Sequence, residues 1–235
     1  MKIAIMQPYF FPFIGYFQLI NAVDRFILGD CVQYIYQGWI NRNRILKPAQ
    51  DDFFYIRIPV NKHSFEIPIK DVNAVEGEEW KTKILSQFSH YKKAPYYKIV
   101  YDLLSHCFTY SDTNVARLNA HYLKAVCDYI GIDFKIEIQS EMDFDYSNVT
   151  CTGDRPIRMC EQMGASQYIN PVGGNELYKK DEFAKSNIEL SFMQANITPY
   201  DQRRESFVPG LSILDVMMFN STNDIKLMLN NYDLL

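Results

Sequence analysis

Apolar positions along the chain follow two rhythms, one of period two and one of period 3.6, and the switches between them mark the predicted elements. Residues 2–6, Lys-Ile-Ala-Ile-Met, are an apolar run of strand length. Residues 25–30, Arg-Phe-Ile-Leu-Gly-Asp, are a second, ending on a carboxylate, and residues 53–60 read as a third strand rich in aromatic and β-branched side chains. From about residue 78 to 131 the period becomes helical. Trp80, Ile84, Leu85 and Phe88 form one stripe, and Ile99, Leu103 and Leu104 a second that follows Pro95. Val115, Leu118, Tyr122, Leu123, Val126 and Ile130 form a third, closed by Gly131 as a C-cap. Strand character returns at 134–138, a helix at 156–163 stops at Gly164, and strands follow at 167–170 and 188–192. Ser212 then caps a helix through Phe219, with Asp215 at the third position in a variant of the capping box. Strands alternating with helices at both ends predict an α/β chain with a mainly parallel sheet, in which residues 1–235 form one domain carrying a helical insertion at about 78–131.

The sharpest break in the pattern comes directly after the first strand, in Gln7-Pro8-Tyr9-Phe10-Phe11-Pro12-Phe13-Ile14-Gly15-Tyr16. Two prolines fix φ and withhold amide donors, so the strand ends there, and Gly15 permits a close turn into the apolar run Phe17, Leu19, Ile20, Val23. In open α/β sheets such a strand-to-helix turn is where ligands bind. Gln7, Tyr9 and Tyr16 are therefore expected to bind substrate.

Composition narrows the function. A net charge of −4 argues against a duplex nucleic-acid partner, which needs a basic face. The apolar run at the start is too short for a signal peptide and no window reaches a membrane span, which predicts a cytoplasmic protein. The five cysteines contain no Cys-x-x-Cys pair and the four histidines lie far apart, so no motif calls for a metal or another cofactor, and the thiols are expected to be free and buried.

Three polar segments could carry chemistry. In Trp39-Ile40-Asn41-Arg42-Asn43-Arg44, arginine forks suit phosphate or carboxylate and the indole suits a base or sugar face, so Trp39, Asn41, Arg42 and Arg44 are expected at the site; a surface hairpin with solvated charges remains open. Gly173 and Gly174 allow close backbone approach to a ligand, although a plain turn accounts for them equally well. Tyr200 and Gln202 complete the set, beside Arg203 and Arg204, whose charges read as surface. For acid–base work the candidates are Asp30 and His63, with Asp24 behind them. The turn at 8–16 and the segment 39–44 are expected to meet in one concave site.

The 8–16 turn is similar to the nucleotide-binding loop of the nucleotidylyltransferase and class I aminoacyl-tRNA synthetase superfamily, except that Phe13 and Tyr16 stand where that loop has its two histidines. This implies a Rossmann-like sheet without adenylyl transfer; an ordinary first strand of any Rossmann-like domain reads the same way. Blocks 6–17, 38–45, 164–169 and 207–215, in that order, resemble the WbqC-like family, with Asn170-Pro171 in place of an expected Ser-Gly. The resemblance implies a transferase of bacterial surface-polysaccharide biosynthesis that modifies a nucleotide-linked sugar, by acyl or aminoacyl transfer to an amino sugar. A noncatalytic nucleotide-sugar binding protein and a divergent nucleotidylyltransferase stay open beside it.

Overall fold

The computed structural model describes residues 1–151 and 153–235. Its strands and helices run in the order β1 (Lys2–Met6), α1 (Ile14–Ala22), β2 (Arg25–Leu28), β3 (Arg42–Leu46), β4 (Phe53–Arg57), α2 (Glu79–Gln87), α3 (Tyr97–Cys107), α4 (Val115–Ile130), α5 (Asp154–Met163), β5 (Gln167–Pro171), α6 (Lys180–Ala184), β6 (Glu189–Ala195), α7 (Ile213–Phe219), α8 (Thr222–Met228) and β7 (Tyr232–Leu234). Five strands make a sheet in the order β2-β1-β5-β6-β7, parallel except for β7, while β3 and β4 pair antiparallel as a separate hairpin. The chain is thus mixed α/β with a mostly parallel sheet, and four helices, α2 to α5, stand between β4 and β5 among the described residues.

Both faces of the sheet are covered, which is why its strands read as continuous apolar runs. Successive residues alternate between two cores. Ala4, Phe26, Leu28 and Ile169 point to the larger one, shared with α1, α4, α7 and α8; Ile3, Ile27 and Tyr168 point to the smaller, with Met159 of α5 and Phe183 of α6. The expected C-caps form at Gly131 and Gly164, both left-handed, at φ 82° and 66°.

Several expected elements change. The strand at 53–60 ends at Arg57 and pairs with β3, a strand hidden in the polar segment Arg-Asn-Arg, instead of joining the main sheet. The segment 134–138 contributes a single bridge, Ile138 to Leu28, because a 3-10 turn begins at Gln139, and the neighbouring Glu137 side chain is held by Arg25. No capping box forms at Ser212: its hydroxyl does accept from the Leu214 amide, but the Asp215 carboxylate turns inward to tyrosine hydroxyls. The box forms one helix later, between Ser221 and Asp224. Cys107, Cys127 and Cys160 are buried free thiols as expected, whereas Cys31 is half-buried and Cys151 exposed.

Candidate ligand-binding site

The site originates in how two strands part. β1 pairs with β5 only at Lys2–Gln167 and Ile3–Tyr168, yet β1 runs on to Met6 and β5 to Pro171, so a crevice opens between their carboxyl ends. This is also where the strand order reverses, with β2 on one side of β1 and β5 and β6 on the other. Ligands of open α/β sheets bind at such a point. A cavity of about 340 Å³ fills the crevice. Met6, Pro171, Met193 and Ala195 form its floor, Pro12, Phe13, Gly15 and Tyr16 the wall where α1 begins, and Tyr9, Trp39 and Arg44 the opposite side, with Ile197 and Gly210 closing it.

The turn that builds one wall has no repeating structure of its own, and side chains from other elements satisfy its carbonyls. Asn119 of α4 donates to Pro8 O at 2.8 Å and to Ile40 O at 2.7 Å. Asn43 of β3 donates to Phe10 O and Phe11 O, both at 2.9 Å, and Ser212 to Phe11 O at 2.7 Å. The Tyr16 hydroxyl donates to Gln7 O at 2.8 Å. Backbone bonds add Phe10 N to Trp39 O at 2.9 Å and Ile213 N to Pro12 O at 2.8 Å. This web holds Phe11 at φ 39°, a conformation that L residues seldom adopt, while its ring stacks on Tyr122 at 5.0 Å. Gly15 is required by space: a Cβ there would stand 2.4 Å from the Phe13 ring and 2.8 Å from Ala195 Cβ.

Among the described residues, Arg44 is the only charged one lining the cavity. One Nη donates to Gly210 O at 2.8 Å, and the guanidinium lies 5.1 Å from the Trp39 ring centroid and 4.8 Å from that of Phe53. Its Nε is buried with no acceptor. Burial raises the phenols of Tyr9 and Tyr16, the latter well above its ordinary value, so both are neutral near pH 7.

The turn at 8–16 and the segment 39–44 therefore do meet, through Tyr9, Tyr16, Trp39 and Arg44. Other expected site residues lie elsewhere, each for a visible reason. Arg42 leans over Tyr55 at 4.3 Å and donates to Gly38 O and Gln37 O. Asn41 is buried and donates to Ile58 O at 2.8 Å, stitching the base of the hairpin. Gln7 contributes its carbonyl, which Tyr16 occupies. Gly174 makes room for the Asn170 side chain, whose Nδ2 a Cβ would meet at 1.9 Å, and neither it nor Gly173 lines the cavity, which takes Pro171 from that loop.

The proposed acid–base residues are also displaced. Asp30 is buried and accepts from the Ser140 amide at 2.9 Å and hydroxyl at 2.5 Å, so it anchors the segment beside β2. His63 packs edge-on against Tyr34 at 5.0 Å, away from the cavity, and Asp24 accepts from the Lys2 amide at 2.7 Å. Tyr200 and Gln202 join a closed network instead. Asp215 accepts from Tyr200 and Tyr91, each at 2.6 Å, and from Gln202 at 3.0 Å, and the Tyr91 hydroxyl in turn accepts from the Leu46 amide at 2.9 Å.

Sequence reasoning missed Asn43, Asn119 and Ser212, which shape the wall, and Met193, Ala195, Ile197 and Gly210, which line it. An asparagine embedded in an apolar helical stripe, as Asn119 is, was the available signal.

The family model that covers residues 7–227 is described as the WbqC-like protein family. The chain belongs to that family. A relative within reach is an uncharacterized protein from Mycobacterium tuberculosis, 30% identical over 223 residues that make up 93% of each chain. No solved structure matches. The matched WbqC-like region contains every residue of the cavity lining except Met6.

Proposed function

We propose that this cavity binds a nucleotide-linked sugar and that the protein is a transferase acting on it by acyl or aminoacyl transfer, in the surface-polysaccharide setting that the family resemblance implies. The observation that carries the reading is Arg44, whose guanidinium stands between two aromatic rings with an Nε that no protein group engages. A phosphate oxygen is an acceptor that suits the outer guanidinium nitrogen which Gly210 O leaves free. Trp39 and Tyr9 offer flat faces to a base or sugar, and α1 begins at the same wall without a side-chain cap, its positive end favouring an anion there. The crevice at the strand-order reversal supports a Rossmann-like reading of the sheet.

One observation favours a second reading, noncatalytic binding: among the described residues that line the cavity there is no carboxylate, imidazole or thiol. A thermal-shift panel of uridine and thymidine diphosphate sugars, acyl-CoAs and ATP separates the two. Stabilisation by a nucleotide sugar followed by turnover with an acyl or aminoacyl donor is the expected result; stabilisation without turnover of any donor selects the binding protein. Nucleotidyl transfer is not expected, because Tyr16 is a buried neutral phenol committed to Gln7 O and Phe13 carries no charge to receive a leaving pyrophosphate. Pyrophosphate release from a nucleoside triphosphate and a sugar phosphate should stay at background.

A further inference from the structure

Two loops beside the hairpin expose large apolar side chains that the core does not use. In residues 33–38 Ile35 is 54% exposed and Tyr36 71%; in residues 61–68 Phe65 is 82% exposed. The two loops are tied together. Tyr34 N donates to Ile67 O at 2.9 Å, the Gln33 side chain to Phe65 O at 2.9 Å, and Gln33 and Pro68 form an antiparallel bridge. Arg42 joins them to the hairpin, since it bonds Gln37 O and Gly38 O and lies over the ring of Tyr55, itself 37% exposed.

The charge around these side chains runs opposite to that of the whole chain. Arg57 is exposed and directly opposite Arg42 in the hairpin register, and Lys62 is exposed beside the 61–68 loop tip. Glu66 is the only acidic residue in the two loops. Over residues 33–42 and 57–68, the two loops with the hairpin ends that adjoin them, the charged side chains are Arg42, Arg57, Lys62 and Glu66, a local excess of cations on a protein whose net charge is −4. Neighbouring exposed large apolar side chains rimmed by polar ones mark protein or membrane interaction surfaces.

We propose that this face docks on an anionic lipid bilayer surface. Ile35, Tyr36 and Phe65 enter the boundary between headgroups and acyl chains, and Arg42, Arg57 and Lys62 lie at the level of the lipid phosphates. Tyrosine suits that depth because its ring is apolar and its hydroxyl stays wet, and arginine and lysine extend their charges toward the headgroups. Short apolar anchors bind weakly alone, so the cations supply the second contribution that makes docking stable. The loop that carries Ile35 and Tyr36 runs on to Trp39 in the cavity wall, so the docked protein holds its ligand site close to the bilayer.

Vesicle co-sedimentation with the full chain tests this, using phosphatidylcholine with and without phosphatidylglycerol. Wild type should pellet with the anionic vesicles, stay soluble with phosphatidylcholine alone, and be released by high salt. The Tyr36→Ser, Phe65→Ser double variant and the Arg57→Glu, Lys62→Glu double variant should each lower partitioning by about tenfold or more with an unchanged thermal midpoint. Failure to pellet with anionic vesicles, equal pelleting with neutral ones, or variants that bind as wild type does would overturn the proposal. So would a dimer in light scattering that the Phe65→Ser change dissociates, since a second copy would then be what covers the patch.

Discussion

Arg44 and Asp215 are both charged side chains set among tyrosines and tryptophan or phenylalanine, and both lie where β3, α7 and the segment 196–212 converge, yet they are finished differently. Asp215 has both carboxylate oxygens engaged, by Tyr91, Tyr200 and Gln202, in a space with no room for a ligand. Arg44 has one partner, Gly210 O, and a buried Nε that faces none. A buried charge whose donors and acceptors are complete locks segments together; one left incomplete beside a cavity is a candidate ligand contact. Tyr200 and Gln202, taken from sequence as ligand contacts, belong to the first kind.

Breaking the lock should have the largest effect. Asp215→Ala leaves the Tyr91 and Tyr200 hydroxyls without their acceptor, while the Gln202 amide keeps Val208 O, and should cost about 3 kcal/mol of unfolding free energy in urea titrations. A change below about 0.5 kcal/mol, the usual scale of a surface substitution, would mean the network is not structural. Gly15→Ala comes next: its methyl would overlap the Phe13 ring and Ala195, and overpacking should cost about 1–3 kcal/mol while also narrowing the cavity. Loss of stability without loss of ligand affinity would detach that wall from the site.

The pH response of Asp215 is a smaller effect with a definite sign. Burial raises its pKa above the ordinary carboxylate value, despite the hydrogen bonds from Tyr200, Tyr91 and Gln202 that act the other way. Folding therefore favours the protonated acid relative to the unfolded chain. The stabilisation is fully present below the unfolded value and is lost as pH rises through the higher folded one. Asp215→Asn should remove this component, so the difference in stability between wild type and variant should change across the pH range just above the usual carboxylate region and be flat above it. A difference that stays constant across that range would contradict the assignment.

The same contrast explains what the sequence disclosed. β1 and α4 were legible because β1 is an apolar run stopped at Pro8 and α4 a long apolar stripe closed by Gly131. The meeting of the 8–16 turn with Trp39 and Arg44 was legible because a strand-end break and an arginine-aromatic cluster fell close together in the chain. β3 was not, because its buried face includes Asn43, whose side chain serves the carbonyls of a distant turn. Asp215 read as a helix cap for the same reason: its real partners, Tyr91 and Tyr200, come from segments that only the tertiary fold brings together. Arg42 and Arg44 share a strand face by period, and what separates them is a cross-strand tyrosine that holds one and a glycine carbonyl that orients the other.

The central claim is that Arg44 is the incomplete charge of a ligand site. Isothermal titration of uridine and thymidine diphosphate sugars into wild type, Arg44→Lys and Arg44→Ala measures it directly, with thermal midpoints recorded alongside. The account predicts binding by wild type, at least about tenfold weaker affinity for Arg44→Ala because a charge-assisted hydrogen bond contributes about 1.5–3 kcal/mol, and an intermediate value for Arg44→Lys, which keeps the charge but not the fork. Equal affinity in all three proteins, with folding intact, would contradict it.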